Sequence, residues 1–257
     1  MRDTCLRGIN SPEISKLHEI VESFARKRVG AYHMTSRIEW ARYFEHAIKV
    51  CSVCPENANL IDIGCGNGYF AVMLKLLRPD LTVVAVDICP KDEWHTFEKY
   101  GITFVVADAF DTKLKRSSFD VAFSSGLFEH VDNTRFLAEV CRILKPGGLN
   151  IVFNIPNRFS VTENTARMLG FFKLVPGETE QRYIKRQITE IFTKGGFRSV
   201  SIIREGLVPA QFGVVSGGIE RLLNCIPRFL LKIDRILNFY PLNTFAQSFL
   251  AVSRKRY

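Results

Sequence analysis

The segment LIDIGCGNGYF, residues 60–70, places Gly64, Gly66 and Gly68 at alternate positions directly after an apolar run. One glycine suffices for a tight turn. Three in alternation remove side chains where a ligand must approach the backbone closely. Asp62 stands two residues before the first of them, and two more carboxylates close similar runs: Asp87 in VVAVDI and Asp108 in VVADAF. His130, in LFEHV, follows a fourth run, FDVAFSS, and is the histidine best placed for proton transfer or substrate contact.

These residues choose among nucleotide-like ligands. A phosphate-binding loop of the GxxxxGK[ST] type needs a lysine that this turn lacks. A dinucleotide turn, GxGxxG, needs a glycine where Tyr69 stands. A carboxylate at Asp62 suits a ligand with an ammonium group rather than a polyphosphate. Asp87 is placed to accept both hydroxyls of a ribose, and Asp108 to meet an adenine amino group. An ammonium, a ribose and an adenine without phosphate describe S-adenosylmethionine.

The elements that must position these residues follow from the hydrophobic rhythm. NLIDIGC, TVVAVDI, TFVVADA, FDVAFSS and GLNIVFNIP are apolar at consecutive positions, as strands buried on both faces are. They alternate with helical stretches such as YFAVMLKLL and DNTRFLAEVCRILK, a pattern of βαβ units in a doubly wound, Rossmann-like α/β sheet. Ligands of such sheets sit beyond the carboxyl ends of the strands, where the glycine turn and the carboxylates lie. Helices are also expected near Ser11, over Thr35 to Val50 and over RYIKRQITEIFTK, with strands at FRSVSIIREGL and SFLAVSRK.

LIDIGCGNGYFA, VVAVDI, VVADAF, FDVAFSSGLFEHV and RILKPGGLNIVF stand in the order and spacing of the motifs of class I S-adenosylmethionine-dependent methyltransferases, and the chain resembles that family from about Asn59 to Pro156. Its flavour is that of the branch acting on quinones, small molecules and lipids or glycans. The resemblance implies a seven-stranded, mostly parallel sheet with an antiparallel last strand, SFLAVSRK. It also implies S-adenosylmethionine as cofactor, with Asp62, Gly64, Cys65, Gly66 and Gly68 at its methionine end. Asp87 and Ile88 would hold the ribose, Asp108 and Ala109 the adenine, and Ser124 a further contact. Some quinone O-methyltransferases of this type carry an acidic residue three before the Glu-His pair, in a metal site. Gly126 occupies that position here, so no metal is expected.

Two domain-level segments follow: a helical stretch over 1–58 packing on the core, and the methyltransferase domain over 59–257. A substrate cap is expected at 157–181 and a helical insertion at 209–244. In the insertion, GGIERLLNCIPRFLLKIDRILNFY (217–240) carries apolar residues at helical spacing with Arg221, Arg228, Lys232 and Arg235 off the stripe, and Pro227 should kink or split it. From Arg198 onward nine Lys/Arg stand against three Asp/Glu, so six of the net +9 charges lie there. An anionic partner follows, a membrane surface met through 217–240 or nucleic acid.

Seven cysteines at irregular spacing suit a reducing cytoplasm, with peripheral membrane association. Cys51 and Cys54 form one CxxC without a second pair to complete a zinc site. The reading is a methyltransferase acting on an oxygen of a small-molecule or lipid-linked acceptor, with His130 as catalytic base. Its alternatives are an RNA methyltransferase and a cofactor-binding regulator without turnover. The fourth strand ends without the Asn/Asp-Pro-Pro-aromatic motif of amino-group methylation.

Overall fold

The computed structural model describes residues 12, 14–19, 37–168, 180–207 and 227–257. Seven strands form one sheet: β1 (Asn59–Ile63), β2 (Thr82–Asp87), β3 (Ile102–Val106), β4 (Phe119–Ser125), β5 (Leu144–Pro156), β6 (Phe197–Glu205) and β7 (Ser248–Lys255). Their spatial order is β3-β2-β1-β4-β5-β7-β6. The first five pair in parallel, and β7 runs antiparallel to both β5 and β6. The strand order reverses between β1 and β4, which opens a crevice beyond their carboxyl ends.

Helices cover both faces, which is why the central strands are apolar at consecutive positions. They are α1 (Arg37–Val53), α2 (Tyr69–Leu77), α3 (Glu93–Phe97), α4 (Asn133–Ile143), α5 (Val161–Met168), α6 (Lys185–Lys194) and α7 (Pro227–Leu237). On one face, Phe44 of α1 and Val72 of α2 pack with Leu60, Val121 and Phe153. On the other, Phe136 of α4 and Phe192 of α6 pack with Ile61, Ala122 and Val152. Odd-numbered β4 residues from Val121 therefore face α1 and α2, a parity that decides which serine at its end reaches the crevice.

Local signals set the ends. Asp132 caps α4, its Oδ1 accepting the N–H groups of Thr134 and Arg135 at 2.9 and 3.2 Å. Beyond α1, Arg78 donates to the carbonyls of Cys51 and Pro55, each at 3.0 Å, satisfying groups a helix end leaves open. Burial pushes the thiols of Cys51 and Cys54 up, to about 12 and about 11, so both stay protonated. Among the described residues no three His, Cys, Asp or Glu side chains gather as a metal site.

Pro227 is the first described residue of α7, a position its ring fits because the first helical turn requires no N–H partner, and the upstream side of the expected kink or split lies outside the described residues. Residues 208–226, which hold the first part of the 209–244 insertion, lie outside the described residues, as do 169–179 of the cap and most of the stretch near Ser11. No helix of the described residues is long and apolar enough to cross a membrane.

Candidate active site

The glycine turn is fastened to the end of β2. Gly64 and Cys65 both donate to the carbonyl of Val86, at 2.8 and 2.9 Å. Gly66 donates to Asp87 Oδ2 at 2.9 Å, Cys89 donates to Asp87 Oδ1 at 3.0 Å, and the Gly66 carbonyl accepts from the Trp94 indole at 2.9 Å. All three glycines take positive φ, but the space beside each differs. A Cβ on Gly64 would lie 3.0 Å from Leu127, and one on Gly68 2.6 Å from the ring of Phe104, which is itself stacked on Trp94. A Cβ on Gly66 would meet no protein atom within 4 Å. Packing accounts for Gly64 and Gly68. Gly66 faces open space that a ligand can enter.

That space is a cavity of about 300 Å³, lined by Asp62, Cys65 and Gly66 at the turn and by Tyr43 of α1, Lys91 and Ser125 around it. Phe70 and Phe123 also line it, stacked on each other at 4.1 Å. Asp62 is 2% exposed, and its Oδ2 has no hydrogen-bond partner. Burial, with the nearby charge of Asp87, pushes this carboxyl up to about 8. A buried carboxylate with an uncommitted oxygen at an open cavity is a site for a cationic group.

Ile88 and Val106 leave large apolar surfaces exposed, 66% and 56%, where β2 and β3 end. A flat apolar ring would cover them. Asp108 is exposed beside them, its Oδ1 accepting the Phe110 N–H at 2.8 Å, and Ala109 is half-buried. Ser124 does not line the cavity. Its hydroxyl is buried on the opposite face of the sheet, and Ser125 takes the place expected of it. Asn154 donates to Ser125 Oγ at 2.8 Å from a residue with φ +56°, at the slip in register between β5 and β7. This bulge aims an amide at the serine.

His130 lies on the loop after β4, which touches the glycine turn through Leu127. Its imidazole is exposed, and Nε2 stands 3.8 Å from Glu129 Oε1. Glu129 is buried with Oε2 unpartnered, and burial, together with the charges of Glu180 and Glu163, pushes it up to about 8. The loop is tied to the end of the expected cap: Gln181 N–H donates to the Glu129 carbonyl at 2.9 Å. Arg167 pairs with Glu180, and Arg182 lies 3.2 Å from Glu163 Oε2.

The structure thus brings Asp62, Gly64, Cys65 and Gly66 to one cavity, with Gly68, Asp87, Ile88, Asp108, Ala109 and His130 along the same edge of the sheet. Sequence reasoning did not single out Tyr43, Lys91, Ser125 or Asn154. Ser125 shares the parity of Val121 and Phe123, which only their packing against α1 and α2 reveals, and no local pattern marks the others.

Residues 61–152 match the family described as "Methyltransferase domain". The chain is 33% identical over 108 residues to the sterol 4-C-methyltransferase strm-1 of Caenorhabditis elegans, a match covering 39% of this chain and 32% of that protein. It is 32% identical over 99 residues to the malonyl-[acyl-carrier protein] O-methyltransferase of Methylococcus capsulatus, covering 37% and 36%. The matched segments thus span about a third of these relatives. Among solved structures, a methyltransferase from Thermotoga maritima superposes with a TM-score of 0.61 at 21% identity, covering 94% of this chain and 98% of that one. Phosphoethanolamine N-methyltransferase 2 of Haemonchus contortus, in complex with S-adenosyl-L-methionine, gives 0.58 at 17%, covering 100% and 60%.

Proposed function

Because this chain carries a methyltransferase domain and belongs with the class I S-adenosylmethionine-dependent methyltransferases in fold, we propose that it transfers a methyl group from S-adenosylmethionine to an oxygen of a small-molecule or lipid-linked acceptor. The observation that carries the reading is Asp62, a buried carboxylate with one oxygen uncommitted, facing an open cavity beside a residue without a side chain.

The residues present fit this cofactor. Asp62 would take its ammonium group. Asp87 would take the ribose hydroxyls on lone pairs not used by Gly66 and Cys89. Ile88 and Val106 would lie under the adenine, with Asp108 beside its amino group. When bound, the cofactor supplies a methyl group on a positively charged sulfur. The chain's own task is then mostly placement, since an in-line displacement depends on the approach of the two reacting atoms. Tyr43 and Ser125 would border the acceptor, and Asn154 would hold the Ser125 hydroxyl in one orientation. A hydroxyl acceptor must lose a proton, and His130 on the adjoining loop is the candidate base. The acceptor class rests on relatives that include a named O-methyltransferase.

Two measurements test this. Calorimetry should show S-adenosylhomocysteine binding and no binding of NADH. Labelled methyl from the cofactor should enter lipid or small-molecule fractions of an extract. Label appearing only in RNA would refute the acceptor class, and absence of cofactor binding would refute the whole reading.

A further inference from the structure

Of the fifteen large apolar side chains that are exposed among the described residues, ten fall in two segments, 159–168 and 229–245. These segments meet. Asn157 Nδ2 donates to the carbonyls of Thr244 and Ala246 at 2.9 and 2.7 Å, and its N–H donates to the Gln247 carbonyl at 3.0 Å. Phe159 and Val161 follow this junction on one side, and Phe239, Tyr240, Leu242 and Phe245 precede it on the other. All six are 40% exposed or more, with Tyr240 at 79%. A patch of this kind on a folded chain marks a surface that something covers.

Its place in the fold is defined. Ser248, which follows the second segment, pairs with Pro156 at the carboxyl end of β5, the edge on which the cavity opens. Helix α7 is tied to α1 through Arg42 and Asp234, 3.4 Å apart, and Tyr43, the next residue of α1, lines the cavity. Asn238 fastens the end of α7 to the Arg204 carbonyl at 2.9 Å.

The charge pattern selects the occupant. On α7, Phe229, Ile233 and Ile236 recur at i, i+4 and i+7, and one position behind them Arg228, Lys232 and Arg235 recur at the same spacing. The sequence of α7 therefore sets a basic position directly before each of these apolar ones. Phe229, Lys232 and Ile236 are exposed. The helix has one acidic residue, Asp234, which is engaged by Arg42, so the remaining charges of α7 are positive. At about 1.5 Å per residue the eleven described residues of α7 are far too few to span a bilayer. Apolar and aromatic side chains beside basic ones suit a helix lying in the headgroup region of an anionic membrane.

We propose that α7, with the 239–245 segment and the turn at Phe159, docks this protein on an anionic lipid surface and turns the cavity toward an acceptor carried in that membrane. Docking stands on the patch itself. That the acceptor is lipid-borne rests on the methyltransferase reading above.

The test uses the full chain and vesicles of phosphatidylcholine with or without phosphatidylserine, read by co-sedimentation. The wild type should bind only the anionic vesicles. Phe229→Ser with Ile236→Ser and, separately, Arg228→Gln with Lys232→Gln should each lower partitioning by about tenfold or more. Melting temperature and S-adenosylhomocysteine affinity should be unchanged in both. Wild-type protein left in the supernatant with anionic vesicles overturns the proposal. So does binding that ignores the serine substitutions, or a preference for generic RNA lost only in the charge variant. Vesicle binding is read without turnover. Intact vesicle binding with no methyl entering lipid would therefore overturn the acceptor assignment alone.

Discussion

The Gly66 N–H donates to Asp87 Oδ2 at 2.9 Å, so the residue at the end of β2 that would hold a ribose also holds the glycine turn. The other oxygen of Asp87 fixes the Cys89 N–H, and one side chain therefore sets the backbone on both sides of the expected ligand. Asp87→Ala removes both anchors and the ribose acceptor together. Its cofactor affinity should fall by about 1–3 kcal/mol, and its melting temperature should fall too. Calorimetry with S-adenosylhomocysteine and a thermal melt measure the two effects. Unchanged affinity would remove Asp87 from the site.

The glycines separate packing from ligand approach. Gly68→Ala drives a methyl into the Phe104 ring, which is backed by Trp94 and has little room to yield. It should destabilise the fold by about 1–3 kcal/mol beyond the backbone strain. Gly66→Ala carries only the strain of a positive φ, about 1–2 kcal/mol, because no protein atom opposes its methyl. It should fold yet lose most cofactor affinity. A Gly66→Ala protein that binds S-adenosylhomocysteine normally would show that the open space beside this residue is not the ligand's.

Asp62 gives a pH dependence with a definite sign. Its folded carboxyl is pushed up to about 8, whereas the unfolded chain releases that proton near the usual aspartate value. The proton-linked stability is thus fully present below about pH 4 and lost progressively as pH rises to about 8. An ammonium-bearing ligand needs the carboxylate, so binding below about pH 8 must release a proton. Affinity for S-adenosylhomocysteine should therefore strengthen between pH 6 and 8, with proton uptake by the buffer visible in calorimetry. Asp62→Asn should abolish both pH effects while weakening binding. A wild-type affinity flat across this range would place the ammonium elsewhere.

The five parallel strands were legible in the sequence because burial on both faces leaves consecutive apolar residues, whereas the antiparallel last strand was implied by the family resemblance. The same property hid the register at the end of β4. FDVAFSS has no polar alternation to say which serine faces the crevice, and Ser124 was chosen where Ser125 lines the cavity. Asn154 was invisible for a different reason. Its reach to Ser125 depends on a slip between β5 and β7, strands separated by almost a hundred residues of chain. Tyr43 arrives from a helix that precedes the first motif, so only tertiary packing of α1 on α2 could place it.

His130 provides the last prediction. The carboxyl nearest to it, Glu129, stands 3.8 Å away and is pushed up to about 8, so at neutral pH it is mostly protonated. Glu129 then gives the imidazole little charge assistance, and an exposed His130 would act as base by itself. His130→Ala should lower turnover by about 10²–10⁴-fold while S-adenosylhomocysteine affinity and melting temperature hold. Glu129→Gln keeps the shape of the neutral side chain and should leave turnover near wild type at neutral pH. If His130→Ala turns over normally, the acceptor needs no histidine base, as an amine or carbanion acceptor would not. If Glu129→Gln falls as far as His130→Ala, the pair acts together and the buried carboxyl must ionise during the reaction.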